Sequence, residues 1–496
     1  MTACFYKSTR DKGMKIMSSQ AIIKGLAHDG GLYVPIEFPR VEKSFEELME
    51  MDYRELAFYI MKKYFTDFDD DELLECIDKA YDEKFQEKDI VPLVEKQGVH
   101  FLELFHGATL AFKDMALSIL PHLLKTASKK LNITKEIVIL TATSGDTGKA
   151  ALEGFADVEG TRIIVFYPQD GVSEIQKRQM VTQGGENTFV VGIEGNFDDA
   201  QRGVKEVFGD KDFNEEINKA GYMFSSANSI NIGRLVPQIV YYFYGYLNLL
   251  REKKISKNES INVVVPTGNF GNILAAYYAQ KMGLPVNKFI CASNENNVLY
   301  DFINTGIYDI RRKFKKTASP SMDILISSNL ERFIYELSGH DDELISDLMM
   351  KLKENGIYEI SHGMKEGLKD FYGGYIDDEK TYGAIKEVYD KADYLMDTHT
   401  AVAYAVYKGY KKETGDETKT IIASTASPYK FTRSVMESIG KPLDNQSDFE
   451  LVKEISKITG LAIPKGIKGL ENKEVIHDKR CRKEEIKTVI CDILRK

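Results

Sequence analysis

Apolar side chains recur along this chain at two different spacings, and the change between them divides it. Over residues 1–98 helical spacing prevails. Residues 45–64 and 71–85 carry apolar side chains three and four positions apart, with acidic residues early in the second stretch, as a helix start favours. A short strand-like piece opens the region, and Gly30, Gly31 and Pro35 interrupt it after the run from Gln20 to Leu26. From about residue 99 short β-branched runs alternate with helical segments. Residues 136–141, 162–167, 188–193, 261–266, 289–293 and 420–425 read as buried strands. This alternation predicts an α/β protein with doubly wound, mostly parallel sheets, whose ligands sit outside the carboxyl ends of the strands. After about 430 helical pieces are separated by Pro464, Gly466 and Gly469, and 483–496 reads as a closing amphipathic helix. Three parts are therefore expected: a mainly helical unit over 1–98, an α/β core over 99–440, and a helical segment over 441–496 that packs on the core.

The length, 496 residues, agrees with roughly three domains at about 150 residues each. With 66 basic and 76 acidic side chains the net charge is −10, which argues against nucleic acid or an anionic membrane as the main partner. The one basic cluster, residues 311–316, reads as a solvated surface segment. The five cysteines fall into no C-x-x-C spacing, so neither a metal site nor a redox pair is expected, and their odd number fits reduced thiols in a cytoplasm. The first residues lack the apolar core of a signal peptide. The most apolar helical stretch, 235–250, contains Pro237, four tyrosines and Asn248, and is too short and polar to cross a bilayer. A soluble, cytoplasmic protein is expected.

The candidate chemistry lies in loops that follow the strands. In the stretch FHGATLAFKD, residues 105–114, Lys113 has Leu110, Ala111, Phe112, Met115, Ala116 and Leu117 for neighbours. Such a lysine can lay its stem on an apolar face and keep its amine in water. Alternatively its amine is desolvated, which lowers its pKa and lets it hold a carbonyl as a Schiff base. After the 136–141 strand, Ser144, Asp146 and Thr147 can cap a helix, or the free N–H groups there can hold an anion. After the 261–266 strand, the loop TGNFGN (267–272) offers a glycine turn and an anion nest, and is neither a P-loop nor a dinucleotide fingerprint. In SANSINIGR, residues 226–234, Ser229 and Arg234 suit a bidentate bond to phosphate or carboxylate, or a plain helix cap. STASPYKF, residues 424–431, places hydroxyls just past a strand. Two anion cradles, an arginine and an apolar-flanked lysine imply a pyridoxal-phosphate enzyme that handles an anionic amino acid.

These motifs resemble the threonine synthase family of fold type II pyridoxal-phosphate enzymes, related to the tryptophan synthase β subunit. HGATLAFKD, TSGDTG, SANSINIGR, TGNFGN and STASPYKF carry the likeness, with AIIKGLAHDGGLYVP (21–35), SPSMDILISSN (319–329) and DTHTA (397–401), all in the family's order. The resemblance implies that architecture, with a smaller mobile subdomain over about 135–225. It implies that Lys113 carries pyridoxal 5′-phosphate, that Gly268, Asn269, Phe270 and Asn272 hold its phosphate, and that the Thr425 hydroxyl meets its ring nitrogen. The Ser144–Thr147 loop, including Asp146, would receive the substrate's carboxylate and phosphate together with Ser229 and Arg234. Two departures stand out. Ala108 occupies a position where the family usually has proline, and Asp146 one where its shorter branch has asparagine.

The implied reaction converts O-phospho-L-homoserine and water to L-threonine and phosphate, in a monomer or homodimer. On the same scaffold an enzyme can stop at elimination to 2-oxobutyrate, or act as a serine or threonine dehydratase. Arg234 speaks against the dehydratase, whose substrates carry no phosphate. Outside enzymes, a ligand-binding protein can keep the fold, although an intact Lys113 speaks for catalysis.

Overall fold

The computed structural model describes residues 3–495, leaving out 144, 170, 171, 442 and 444 and the side chains of 197 and 198. Two sheets organise it. The larger has six strands in the order Phe371–Tyr375, Val286–Ser293, Ile261–Pro266, Thr420–Ser424, Val99–Glu103, Leu93–Lys96. Its first five strands are parallel, and the edge is an antiparallel hairpin with Leu93 opposite Leu102. The smaller sheet is parallel throughout, in the order Arg480–Cys481, Thr188–Ile193, Thr161–Pro168, Glu136–Ala142, Tyr222–Ser225. Ile261–Pro266 is buried at every position, because helices cover both faces of such a sheet and leave no side for polar residues. Each strand expected from the β-branched runs is present, with ends shifted by three residues at most.

The N-terminal region is helical, as expected, with a small antiparallel sheet in the order Asp11–Ile16, Tyr6–Ser8, Tyr33–Pro35. The stretch 45–64, which reads as one amphipathic run, is two helices, Phe45–Met49 and Tyr53–Tyr64. A capping box divides them. The Asp52 carboxylate accepts the Glu55 N–H at 2.9 Å, and the Glu55 carboxylate accepts the Asp52 N–H at 2.9 Å. Near the C-terminus the helices Asp448–Thr459 and Ile486–Leu494 are joined by an element that periodicity does not reveal. Arg480–Cys481 adds a short parallel strand beside Thr188–Ile193. Two residues are too few to show alternation, and the pairing is decided by the neighbouring strand. Among the described residues no helix is long and apolar enough to cross a membrane.

What matters for chemistry is the polarity of the strands. Val99–Glu103, Glu136–Ala142, Tyr222–Ser225, Ile261–Pro266 and Thr420–Ser424 each lead directly into one of the five motif loops. Every candidate loop therefore lies at a strand's carboxyl end, where crossover connections leave a crevice.

Candidate functional site

Lys113 stands at the start of a one-turn helix, Asp114–Leu117. The turn before it is fixed from within. The buried Asp114 carboxylate accepts the Thr109 N–H at 2.8 Å and the Thr109 hydroxyl, and Leu110 adopts a left-handed φ of 63°. It is also stitched to the loop after Thr420–Ser424. The Phe112 N–H donates to the Thr425 carbonyl at 2.8 Å, and the Ser427 N–H to the Leu110 carbonyl at 3.0 Å. The Lys113 and Thr425 backbones are thus held side by side.

The Lys113 side chain is 12% exposed, with its amine 3.5 Å from the Asp146 carboxylate and 3.3 Å from the Ser321 hydroxyl. Burial lowers the pKa of this amine below the ordinary lysine value, assisted by the charges of Lys430 and Arg234, while Asp146 opposes the shift. Asp146 itself lies in the first turn of the helix Asp146–Phe155 and is engaged on both oxygens. Its Oδ1 is 2.6 Å from the Lys430 amine and accepts the Gln176 side-chain N–H at 2.7 Å. Burial by itself would raise its pKa, but Lys430 and Lys113 outweigh burial and hold the carboxyl well below the usual carboxylate range. Thr147 is half-buried in the same turn, and Ser144 lies outside the described residues. Part of the expected anion cradle is used internally, since the Thr143 hydroxyl accepts the Gly145 and Gly148 N–H groups at 3.0 and 2.9 Å.

The 267–272 loop faces Ser321. A Cβ at Gly268 would lie 2.7 Å from the Ser321 carbonyl oxygen, so only glycine fits there. Phe270 takes a left-handed φ of 61° at the start of the helix Gly271–Met282, and its ring packs against Phe333 at 5.4 Å. The Asn269 carbonyl accepts both the N–H and the side-chain N–H of Asn329 at 3.1 Å, and Asn329 also donates to the Ser229 hydroxyl at 3.3 Å. Asn272 lies in the helix's first turn. Its Oδ1 accepts the Tyr241 hydroxyl at 2.9 Å and also the Tyr242 hydroxyl, which leaves Nδ2 buried with no partner among the described residues.

Arg234 is 3% exposed in the first turn of the helix Ile232–Arg251. Its Nη1 donates to the Ala227 carbonyl at 2.7 Å, whereas its Nε is buried and unpartnered among the described residues. Burial lowers its pKa to about 10, so it stays charged at neutral pH. A buried cation with one hydrogen bond, an unpartnered amide N–H at a helix start and a desolvated amine together suit a ligand that carries a phosphate and a carbonyl.

Three residues in this cluster carry no role in the reading of the sequence. Lys430 is fully buried, and its amine also donates to the Thr109 carbonyl at 2.8 Å. Ser321 is held by His399, whose Nε2 accepts the Ser321 N–H at 3.1 Å while its Nδ1 lies 2.7 Å from Asp397 Oδ2. That arrangement puts the ring proton on Nδ1. All three lie in motifs already singled out, STASPYKF, SPSMDILISSN and DTHTA. The local signal for Lys430 is the one that marks Lys113, a lysine between apolar or aromatic neighbours.

Residues 92–425 match the family model described as "Pyridoxal-phosphate dependent enzyme". Fold and site together define a pyridoxal-phosphate-dependent enzyme of fold type II. Residues 5–81 match "Threonine synthase N terminus", and residues 400–483 match "Threonine synthase, C-terminal". Threonine synthase of Saccharomyces cerevisiae is 36% identical over 97% of this chain and 98% of its own. A crystal structure of pyridoxal-phosphate-bound threonine synthase from Brucella melitensis superposes with a TM-score of 0.88 at 32% identity, covering 100% of both chains. Human threonine synthase-like 1 is 41% identical over 85% of this chain, which spans 58% of that longer protein. The chain belongs to the threonine synthase family.

Proposed function

We propose that this protein is a threonine synthase, converting O-phospho-L-homoserine and water to L-threonine and phosphate. The observation that carries the proposal is the buried Lys113 amine between Asp146 and Ser321, beside a buried and incompletely bonded Arg234.

In this reading Lys113 holds pyridoxal phosphate through its amine. Asn272 Nδ2 and the backbone of Gly268, Asn269 and Phe270 receive the cofactor's phosphate, and Thr425 meets its ring nitrogen. When bound, the cofactor supplies a conjugated electron sink that makes the carbon beside the substrate's amino group acidic. The protein's own groups do the rest. Lys113 would be the base near Cα, and burial, which lowers its proton affinity, suits it to accept and return protons. Asp146 keeps a negative charge beside that amine, so the amine can carry a proton in a buried place, and the Ser321 hydroxyl holds its position. Arg234, Ser229 and the Thr147 turn bind the substrate's phosphate and carboxylate. Overall, phosphate leaves Cγ with the bonding electrons and takes up one proton of water, Cβ gains the hydroxyl of that water and loses a proton, and Cγ gains one. The division at about residues 98 and 440, and movement of the smaller sheet, belong to the same proposal. So does a cytoplasmic location, which four buried free thiols, Cys4, Cys76, Cys291 and Cys481, support.

Product analysis of the holoenzyme with O-phosphohomoserine tests the proposal. Threonine and phosphate in equal amounts are expected. Phosphate with 2-oxobutyrate and ammonia instead would replace the synthase by a phospho-lyase.

A further inference from the structure

A cavity of about 320 Å³ lies beside the turn that precedes Lys113 and is lined by none of the site residues named above. Its wall is formed by the end of the N-terminal region, by Ala108 in the turn before Lys113, by two helices that flank the smaller sheet, and by residues 465–473. In a chain of net charge −10, five lysines face this space against two carboxylates, Glu83 and Glu153.

The lysines are unequally satisfied. Lys149 is 7% exposed, and its amine lies 2.9 Å from Glu153 and also donates to the Gln183 side-chain carbonyl. Lys84 is 3.5 Å from Asp82. Lys465, Lys468 and Lys473 line the cavity but form no ion pair among the described residues. A second, independent feature lies among them. Gln179 is 2% exposed, and its Oε1 is buried without a hydrogen-bond partner among the described residues, while its Nε2 donates to the Gly466 carbonyl at 3.3 Å. An unpartnered buried acceptor is costly, and it marks a place where a donor from a ligand or water belongs.

The rim is built rather than loose. Arg178 donates to the carbonyls of Leu470 and Glu471 at 3.2 and 2.9 Å, and also to that of Lys473. Gly466 lies so close to the 108 turn that a Cβ there would be 2.4 Å from the Ala108 carbonyl oxygen. The backbone that carries Lys465, Lys468 and Lys473 is thereby held at the edge of the cavity, where an anion would offset their positive charge.

We infer that this cavity binds a small phosphomonoester, its phosphate on Lys149, Lys468 and Lys473 and a hydroxyl or amino donor of its organic part on Gln179 Oε1. Phosphate is favoured over a single carboxylate because it offers three acceptor oxygens and two charges to several ammonium groups at once. The site is separate from the reaction at Lys113 and does not depend on it.

Calorimetric titration of the holoenzyme with inorganic phosphate and with glycerol 2-phosphate tests this, with hydrogen exchange on the same samples. The comparison protein is the double variant Lys468→Gln/Lys473→Gln, in which both changes are on exposed side chains and leave the fold intact. The wild type is expected to bind one more equivalent of either probe than the double variant does at the same concentration. Affinity at the cavity should fall at least about tenfold in the variant. The ester should bind the wild type more tightly than inorganic phosphate and protect amides over 464–473, and Gln179→Met should remove that advantage only. Equal stoichiometry and affinity in wild type and double variant would overturn the inference. So would protection confined to 267–272, or an ester that binds no better than inorganic phosphate.

Discussion

Lys430 and Asp146 form an ion pair of 2.6 Å closed off from solvent, and the same carboxylate faces Lys113 at 3.5 Å on its other oxygen. One buried negative charge is therefore shared between two buried amines. Because Lys430 also donates to the carbonyl of Thr109, the pair ties the loop after Thr420–Ser424 to the turn that presents Lys113.

Removing Lys430 leaves the buried Asp146 charge with only the more distant Lys113 amine as an ionic partner. Lys430→Met is expected to destabilise the holoenzyme by about 3–5 kcal/mol, and adding Asp146→Asn should recover most of that loss. Urea unfolding of the two variants and the double variant measures it. The pH dependence has a definite sign. The folded pKa of Asp146 is depressed, so its ionisation stabilises the fold above the unfolded-chain value near 4 and ceases to do so as pH falls through the folded value. In Lys430→Met the folded value rises, and acid unfolding should begin at higher pH than in the wild type.

Lys113 titrates in the opposite sense. Burial lowers its folded pKa below the ordinary 10.5, so its charged form is penalised in the cofactor-free protein and raising the pH through the folded value relieves the penalty. Uptake of pyridoxal phosphate by the apoprotein should accelerate with pH and level off below 10.5. Borohydride reduction followed by peptide mapping should place the pyridoxyl group on Lys113, and an adduct on another lysine would refute the assignment.

Asn272 offers a buried Nδ2 without a partner among the described residues, while its Oδ1 is already occupied by two tyrosine hydroxyls. Asn272→Asp keeps the shape and the tyrosine bonds but turns a donor into a negative charge. Cofactor affinity should fall about 10- to 150-fold, the equivalent of about 1.5–3 kcal/mol for a bond to a charged group. Equilibrium titration of the apoprotein with pyridoxal phosphate reads this directly.

Arg234 bears on the substrate rather than the cofactor. Its guanidinium is bonded to the Ala227 carbonyl through Nη1, with Nε unpartnered among the described residues. Arg234→Ala should lower kcat/KM on O-phosphohomoserine about 30- to 1,000-fold, for a loss of about 2–4 kcal/mol, with cofactor content retained. Arg234→Lys should rescue only in part, because it keeps the charge without the planar fork. Near-normal kcat/KM in Arg234→Ala would move phosphate binding to another residue.

By itself the sequence determined the local structure and the order of the motifs. The runs 188–193 and 261–266 coincide with strands because a parallel strand covered on both faces needs a segment rich in β-branched residues, a property written in consecutive residues. Lys113, the glycine turn at 268 and Arg234 were legible for a similar reason, since each stands out against its immediate neighbours. The break at Asp52 and the strand Arg480–Cys481 were not, because a capping box can sit inside a continuous apolar pattern and two residues show no period. Only the tertiary structure decided which side chains meet. Strand order does not follow chain order: Thr420–Ser424 inserts between Ile261–Pro266 and Val99–Glu103. That insertion carries Thr425 and Lys430 from late in the chain to the turn of Lys113, while Ser321 arrives from a segment between strands, held by His399. Periodicity describes what one segment buries, and the partners it buries against depend on how parallel strands, each needing a long crossover, are ordered in the sheet.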